Sequence, residues 1–425
     1  MIIMRRLNDY HAVLPRCLAP ALRAALSRAP AVVLIGAGQT GKTTLARELV
    51  GEARGYVTLD DVEMAERAER DPDTLLDGPG LVTIDEVQRS PRLLLAIKQR
   101  VDRNRQAGQF LLIRSSNPAL LGRVSESLAD RALYKTLMPM TCSERAGGGG
   151  CGPWGTLLTS PRDLRGRAVQ RMDWRKAALS GGLPPAAVAR DAQTRMEWLD
   201  RYVRTHLERN LQTLSTIEHL AAFRRLLRTV ALRMGRLMNQ SDMGRDAGLS
   251  QPTAHRYLAL VEASHLLYRL PAYTVRQTKR LISAPRLFLC DTGLACFLAG
   301  LHTPDELASS DIAGSILENL VLGDLLVWKE TLTPAPEVLC WRTSTGKAVA
   351  FVIESEGVLV PVEVKAGRRP RLHDANGLDA FLDEYADCAP HGILVHTGDT
   401  VEPLSSRVWA VPLSLALGVA NDGAP

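Results

Sequence analysis

The 425-residue sequence contains no apolar run of the length that crosses a membrane, and its first residues hold no apolar segment followed by a cleavage site. Its seven cysteines are scattered without CxxC spacing, which argues against a disulfide framework and against a zinc site. The sequence contains no N-K-x-D motif, the pattern typical of guanine recognition. These absences predict a cytoplasmic protein without a membrane partner.

The composition is that of an ordinary globular protein. Hydrophobic residues make up 46% of the chain and charged residues 23%, and the length allows two to four domains with real cores. The net charge of +6 and the pI of about 9.0 fit nucleic acid or another anionic partner, and they fit solvated arginine side chains equally well. Charge alone therefore selects no partner.

The most informative stretch is AVVLIGAGQTGKTTLARELV, residues 31–50. An apolar run, Val32–Ile35, predicts a buried strand, and Thr44–Val50 predicts a helix. The loop between them, Gly36–Thr43, fits G-x-x-x-x-G-K-[ST], in the strand–loop–helix context that a phosphate-binding loop requires. Glycines let such a loop turn its N–H groups toward phosphate, and the helix N-terminus adds partial positive charge.

This motif predicts which residues contact ATP. Lys42 is expected to reach the β- and γ-phosphates as a catalytic cation, and the Thr43 hydroxyl is expected to ligate Mg²⁺. The full set of predicted nucleotide-binding residues comprises Gly36, Gly38, Gln39, Thr40, Gly41, Lys42, Thr43 and Thr44.

A second constellation lies downstream, where the apolar strand Leu81–Ile84 ends in Asp85 and Glu86. This is the Walker B arrangement. Asp85 is predicted to hold Mg²⁺ from the tip of the strand, and Glu86 is predicted to orient and polarise the attacking water. Two acids at the end of a buried strand are uncommon by chance, because uncompensated carboxylates are costly near a core.

Three further groups are candidates on weaker patterns. Ser115 and Asn117 follow the next strand, where a polar residue senses the γ-phosphate or the water, and capping of the following helix is the alternative. Arg131 is a candidate arginine finger, in cis or across a subunit interface. Arg16 and Arg23, in the segment before the first strand, are interpreted as surface salt-bridging residues rather than nucleotide contacts.

The middle of the chain is predicted to be mainly helical. Four glycines at 147–150 predict a flexible linker that ends the first domain near residue 145. Residues 236–276 predict a winged helix-turn-helix, with a second helix over Gln251–Ala263 and a wing strand over His265–Leu270. Such a unit either places its second helix in a DNA major groove or only packs beside an ATPase.

The last part of the chain predicts a helix that contains Glu318, followed by strands at Val338–Trp341, Ala348–Glu354 and Leu359–Val364. A helix Glu followed by an E-x-K strand, here Glu363 to Lys365, is the skeleton of PD-(D/E)XK nucleases, in which acids hold a metal. Ala350 stands where a further carboxylate is needed. A degenerate or nucleic-acid-holding version of the fold is therefore favoured over an active nuclease.

Taken together, these motifs resemble those of bacterial and archaeal AAA-type P-loop ATPases that carry a C-terminal domain of uncharacterised function. The resemblance covers nearly the whole chain, through GAGQTGKTT, YVTLDD, TIDEVQRSP, SESLADR, SGGLPPA, RYLALVEASHLLYRLPAY, APRLFLCDTGL and LVPVEVKAG. The sequence departs from the family pattern at Ile113–Ser115, where T-G-S is usual, at Leu128–Arg131, where L-A-G-R is usual, and at Ala350, where Asp is usual.

The resemblance implies an α/β architecture in four parts. These are an AAA-like P-loop domain with a parallel sheet (1–145), a Gly-rich linker (146–160), a helical and winged-helix domain (161–305) and a restriction-endonuclease-like α/β domain (306–425). The function it implies is an Mg²⁺-dependent ATPase that couples nucleotide state to movement of its C-terminal modules. The alternatives left open are an ATP-switched DNA-binding protein and a metal-dependent nuclease using Glu318, Glu363 and Lys365. Assembly into a homo-oligomer is also left open.

Overall fold

The protein is described by a computed structural model over residues 13–50, 54–77, 80–114, 128, 130–205, 220–275, 278, 280 and 283–419. Within this part of the chain, no helix combines the length and the apolar character needed to cross a membrane.

The N-terminal unit is a five-stranded parallel sheet in the order β2-β3-β4-β1-β5. Its strands are β1 (Ala31–Ile35), β2 (Gly55–Thr58), β3 (Val82–Asp85), β4 (Phe110–Ile113) and β5 (Ala132–Thr136). Strands β1 and β4 are apolar throughout and β3 is buried along its length, because both faces of the sheet are covered. The covering helices are Leu18–Leu26, Lys42–Val50, Val62–Arg70, Pro72–Leu76 and Pro91–Arg103. The predicted α/β fold with a P-loop-type parallel sheet is confirmed.

Two apolar clusters hold this sheet between its helices. One contains Leu22, Leu34 and Leu45, and the other contains Ile84 and Ile97 on the opposite face. Because all five strands are parallel, their carboxyl ends meet at one edge of the sheet. That edge carries the loop after β1 and the acids at the end of β3.

The middle unit is mainly helical. Its helices are Cys142–Arg145, Trp154–Thr159, Trp174–Ser180, Pro184–Ala187, Ala192–Tyr202, Leu220–Leu232, Gln240–Ala247, Gln251–Ala263, Thr292–Ala299 and Pro304–Ser309. Strands β6 (Leu267–Leu270) and β7 (Arg286–Leu289) form an antiparallel pair beside them. Helix Gln251–Ala263 has the predicted bounds, because Ser250 caps its first turn and Pro252 fits there without losing a hydrogen bond.

The segment predicted as a flexible linker differs from that prediction. Trp154 is fully buried, and its Nε1 donates to Asp324 Oδ1 at 2.6 Å. The backbone N–H of Gly152 donates to the same oxygen at 3.3 Å, and a Cβ at Gly152 would lie 1.8 Å from the Ala416 carbonyl oxygen. The burial of one large indole therefore fastens this segment to the C-terminal unit, although four glycines precede it.

The C-terminal unit is a six-stranded mixed sheet in the order β12-β13-β11-β10-β9-β8. The strands are β8 (Glu337–Arg342), β9 (Ala348–Ser355), β10 (Val358–Lys365), β11 (Gly392–His396), β12 (Glu402–Pro403) and β13 (Val408–Pro412). The helices are Ala313–Glu330, Asn376–Glu384 and Leu413–Ala416. One apolar cluster runs from the middle unit onto one face of this sheet, and a second, around Phe381, covers the other face. The restriction-endonuclease-like character of the unit stays a prediction.

Candidate functional site

The loop between β1 and helix Lys42–Val50 has a backbone that only certain residues tolerate. Gly36 has a φ of 143°, Gln39 of 63° and Gly41 of 91°. A Cβ at Gly36 would lie 2.3 Å from the carbonyl oxygen of Leu137, so no side chain fits there. The Thr40 hydroxyl donates to the Ala37 carbonyl at 2.9 Å and tightens the turn. The strand–loop–helix context of a phosphate site is therefore present.

Lys42 lies inside this loop. Its Nζ donates to the carbonyl oxygens of Gly36 at 3.0 Å and Ala37 at 2.8 Å, and the residue is only 7% exposed. Burial lowers the pKa of Lys42 to about 8, and the carboxylates of Glu86 and Asp85 oppose that shift. The ammonium is therefore mostly charged at neutral pH, and a small rise in pH removes that charge.

The acids at the end of β3 meet the start of the same helix. The Thr43 hydroxyl donates to Asp85 Oδ2 at 2.7 Å, and the Tyr56 hydroxyl donates to that oxygen at 2.8 Å. Asp85 Oδ1 accepts the backbone N–H of Glu86 at 3.0 Å. A hydroxyl and a carboxylate side by side are oxygen ligands of the kind Mg²⁺ prefers, so these residues fit the predicted metal.

Glu86 is held in an unusual backbone conformation. Its φ of 57° and ψ of 36° lie in the left-handed region, which a non-glycine residue seldom occupies. The Gln88 side chain amide donates to the Glu86 carboxylate. Such strain concentrates at functional sites, because the surrounding structure must hold it in place.

Arg16 is buried against the loop, and its interpretation as a surface residue is wrong. Its guanidinium donates to the carbonyl oxygens of Thr40 at 2.7 Å and Met138 at 2.6 Å. It also pairs with the fully buried Glu144 at 3.2 Å. A charge-paired arginine thus joins the segment before the first helix to the loop and to the chain just after β5.

The middle unit covers the loop from another side. The Tyr202 hydroxyl donates to the Gly38 carbonyl at 3.1 Å, and its ring stacks on Trp198 with centroids 5.0 Å apart. Pro184 lies close to Gly41, with its Cγ 3.8 Å from where a Cβ would stand. The loop is therefore in direct contact with two parts of the middle unit.

Two of the sequence motifs meet to hold Pro184 in this position. The Asp291 carboxylate caps helix Thr292–Ala299 through the Leu294 N–H at 2.7 Å, and it also accepts the N–H of Leu183 at 3.1 Å. Burial raises the pKa of Asp291, and the backbone N–H groups that it accepts oppose this shift. The residues SGGLPPA and CDTGL are thus joined by one buried carboxylate.

An apolar cavity of about 450 Å³ opens beside the first turn of helix Lys42–Val50. Thr44, Leu45 and Glu48 line one wall, and the chain before the first helix and the segment after Gly182 form the others. The remaining lining residues are Val13, Leu14, Arg16, Gly41, Met140, Pro184, Pro185 and Val188. Its size and mostly apolar lining suit a flat heterocycle next to the phosphate loop.

His265, just before β6 in the middle unit, lies within electrostatic reach of Lys42 in the loop. It has a φ of 57° and lines a second cavity of about 260 Å³ with Thr136 and Met138. Burial lowers the pKa of His265 to about 4, and the positive charges of Lys42 and Arg114 lower it further. The imidazole is therefore neutral and lies within electrostatic reach of Lys42.

The weaker candidates are not brought to the loop. Ser115 and Asn117 lie outside the described residues. Arg131 precedes β5, and the β1–β5 register pairs Ala31 with Ala132, so Arg131 stands at the opposite end of β1 from the loop, roughly 16 Å away along the strand. Its guanidinium pairs in a bidentate manner with Asp102 at 2.6 and 3.1 Å. The prediction that Arg131 contacts the nucleotide of its own chain is therefore wrong.

The E-x-K residues of the C-terminal unit form a closed charge cluster. Lys365 Nζ pairs with Glu363 at 2.9 Å, and the other oxygen of Glu363 accepts the backbone N–H of Ala350 at 3.2 Å. Glu318 pairs with the guanidinium of Arg286, which comes from β7 of the middle unit. Among the described residues, no group of three or more His, Cys, Asp and Glu is placed to hold a metal ion.

Comparison with known proteins shows which families and relatives this chain is similar to. Residues 28–146 match a family model described as AAA domain. Residues 171–305 and 313–416 match two models described as domains of unknown function, DUF8612 and DUF4143. Uncharacterized proteins of Mycobacterium tuberculosis and Mycobacterium bovis are each 33% identical over 395 residues, which is 92% of this chain and 82% of theirs. A Walker-type ATPase of Pyrococcus abyssi aligns with 66% of this chain and 94% of its own, at 13% identity and a TM-score of 0.41.

Proposed function

This chain belongs to the same AAA-domain family as its two mycobacterial relatives, and we propose that it is an Mg²⁺-dependent ATPase whose nucleotide state is transmitted to the middle unit. The observation that carries this proposal is the meeting of Lys42, Thr43, Asp85 and Glu86 at one edge of the parallel sheet. A loop that only bound an anion would need the lysine but neither acid.

The proposed roles follow from the chemistry of each side chain. Lys42 binds the terminal phosphates as a buried cation, and Thr43 and Asp85 hold Mg²⁺. The ion supplies positive charge that offsets the negative charge of the phosphates. Glu86 orients a water molecule and accepts its proton, for which its carboxylate at the tip of β3 is suited.

The cavity beside Thr44 and Leu45 is the proposed binding site of the base and ribose. Its walls include Pro184 and Pro185, whose rings offer flat apolar surface for an adenine. The nucleotide would then span from the middle unit to the phosphate loop. We therefore propose ATP as the nucleotide.

Coupling is proposed to run through Tyr202 and His265. Tyr202 is bonded to the loop backbone at Gly38, so a change in loop conformation moves or breaks that contact. Burial keeps the His265 imidazole neutral and the nearby cations add to this effect, and phosphate beside Lys42 would oppose the contribution of those cations. Residues 236–276, for which the sequence predicts a winged helix-turn-helix, are proposed to carry the change further.

The experiment is an equilibrium titration of Mg·ATP and Mg·GTP on the full chain. Lys42→Ala should weaken ATP binding roughly 10- to 100-fold, because it removes a charge-assisted contact to phosphate. Lys98→Ala, on helix Pro91–Arg103 away from the loop, is the matched control and should bind as the unaltered protein does. Absence of ATP binding by the unaltered chain, or equal binding by Lys42→Ala, would reject the proposal.

The alternative of an ATP-switched protein that reads DNA through helix Gln251–Ala263 has less support. On the exposed face of that helix, His255 and Arg256 are the basic side chains, beside Gln251, Pro252 and Ala259. One arginine supplies little of the charge neutralisation that groove binding needs. We therefore do not place DNA on this helix.

A further inference from the structure

Positive charge is concentrated at one edge of the C-terminal sheet. Four segments meet there, residues 165–171, 342–347, 363–374 and 396–400, and together they are named the basic edge. They contain nine cationic side chains against three carboxylates, an excess that equals the net charge of +6 of the whole chain. The cations are Arg165, Arg167, Arg171, Arg342, Lys347, Lys365, Arg368, Arg369 and Arg371. The rest of the chain is therefore electrically balanced as a whole.

The four segments are adjacent in space. Antiparallel β9 and β10 place Ala348 at the Lys365 end of the hairpin, and Arg342 pairs with Ala348 in the register of β8 and β9. The Thr397 N–H donates to the Gly367 carbonyl at 3.1 Å, which joins the loop after β11 to the loop after β10. The ion pair of Arg171 with Asp399 at 2.9 Å brings the first segment to the same place.

The carboxylates of this edge already form ion pairs or hydrogen bonds within the protein, whereas most of the cations are exposed to solvent. Glu363 is buried beneath Lys365, and Asp399 is paired with Arg171. Asp374 accepts the backbone N–H of Arg371 at 2.8 Å. The exposed cations that form no ion pair with any described residue are Arg165, Arg167, Arg342, Lys347, Arg368, Arg369 and Arg371.

The chemistry of the edge points to nucleic acid. We propose that the basic edge binds the phosphate backbone of duplex nucleic acid. Seven of the nine cations are arginines, whose planar guanidinium matches a phosphate with two parallel hydrogen bonds. The exposed Ser344 hydroxyl lies among them as a further donor to phosphate oxygens.

Duplex is favoured over single strands and over a lipid surface by what the segments contain. They hold no Phe, Tyr or Trp, which single-strand binding uses to stack bases. Their one exposed large apolar side chain is Leu372, and interfacial membrane binding needs an apolar helix face. Binding is therefore expected to be independent of sequence and steeply dependent on salt.

The test measures fluorescence anisotropy of two unrelated 20-base-pair DNA duplexes with the full chain over a range of salt concentrations. The variant Arg368→Gln/Arg369→Gln/Arg371→Gln should lose at least tenfold in affinity at low salt. The slope of log affinity against log salt should flatten by about 2 to 3, at roughly 0.9 for each phosphate that the variant no longer neutralises. Arg368→Lys/Arg369→Lys/Arg371→Lys should keep most of the affinity, because it preserves the charge.

The matched control is Arg28→Gln/Arg67→Gln/Arg70→Gln, which removes the same charge from exposed sites on the N-terminal unit and should bind as the unaltered chain does. Arg256→Gln should also leave binding unchanged. The proposal is overturned if the unaltered chain does not bind duplex, or if the Gln triple variant of the edge binds as tightly as the control. Tighter binding to phosphatidylserine vesicles than to duplex, abolished in the same variant, would assign the edge to membranes instead.

The basic edge is independent of nucleotide hydrolysis. Arg368→Gln/Arg369→Gln/Arg371→Gln should bind Mg·ATP as the unaltered chain does, since the loop lies in another unit. Failure of ATP binding and failure of DNA binding are therefore separate results.

Discussion

At the scale of single residues, Lys42 is the proposed ligand of the nucleotide phosphates. Its ammonium is buried between two carbonyl oxygens of the loop, and burial places its pKa at about 8. Below that pH the side chain is charged and can bind phosphate, and above it the charge is progressively lost. The phosphate affinity of the protein is thereby linked to pH near neutrality.

We expect ATP affinity to fall by about tenfold between pH 7 and pH 9, because only the protonated fraction of Lys42 binds phosphate. In Lys42→Arg the guanidinium stays charged across this range, so affinity should be lower at pH 7 but nearly independent of pH. Titrations at several pH values measure both slopes. A wild-type slope that persists in Lys42→Arg would show that another group titrates.

The residues that a local pattern could reveal are those of the two motifs. Lys42 and Thr43 are neighbours at the start of a helix, and Asp85 and Glu86 end one strand, so short spacings reveal them. Tyr202 is bonded to the same loop and His265 lies within electrostatic reach of Lys42, although both come from far along the chain, where no local spacing marks them. Arg131 illustrates the reverse error, since an arginine near the motifs in sequence stands at the wrong end of its strand.

At the scale of elements, the contacts between units rest on a few buried charges. Arg16 joins three backbone segments, and its partner Glu144 is fully buried. Glu144 also caps its own helix and accepts the Cys17 N–H at 2.6 Å. A buried ion pair of this kind is costly to break, because the remaining charge has no solvent.

Arg16→Met is therefore expected to lower the free energy of unfolding by about 3 kcal/mol. It should also weaken ATP binding, because the Thr40 carbonyl loses its partner. Arg23→Met, on the exposed face of helix Leu18–Leu26, is the control and should change stability by less than about 0.5 kcal/mol. Urea denaturation followed by circular dichroism measures both. Equal stability of the two variants would contradict the assigned role.

Elements with strong local signals were predictable and those fixed by distant packing were not. Helix Gln251–Ala263 follows from its Ser cap and its apolar spacing, and β9 and β10 follow from long apolar runs. The segment around Trp154 was predicted as a flexible linker because glycines dominate its composition. Its order comes from Asp324, which is 170 residues away in the sequence.

At the scale of the whole molecule, Asp324 joins the segment after the N-terminal unit to the long helix of the C-terminal unit. It is completely buried, and burial raises its pKa to about 7 against the hydrogen bonds from Trp154 and Gly152. The unfolded value is near 4. Between pH 4 and pH 7, Asp324 is therefore protonated in the folded protein and ionised in the unfolded chain. The free energy of unfolding falls as pH rises through that window.

Asp324→Asn should remove this dependence. The amide oxygen can still accept from Trp154 Nε1, and no charge is buried at high pH, so we expect the gain in the free energy of unfolding to be about 2.5 kcal/mol larger at pH 8 than at pH 5. Asp163→Asn, at an exposed position, is the control and should follow the unaltered chain. Denaturation at the two pH values decides the matter, and a gain that is equal at both would contradict a titrating Asp324.

The central question for the molecule is whether the acids at the tip of β3 turn nucleotide binding into hydrolysis. Single-turnover hydrolysis of γ-labelled ATP, with protein in excess, separates the two steps for the unaltered chain and for Glu86→Gln. The unaltered chain should release phosphate, while Glu86→Gln should bind ATP with similar affinity and hydrolyse it about 10²- to 10⁴-fold more slowly. Glu66→Gln, exposed on helix Val62–Arg70, should hydrolyse at the normal rate. Bound ATP that stays intact in the unaltered chain, or is cleaved equally fast by Glu86→Gln, would contradict the assignment of a hydrolysis site.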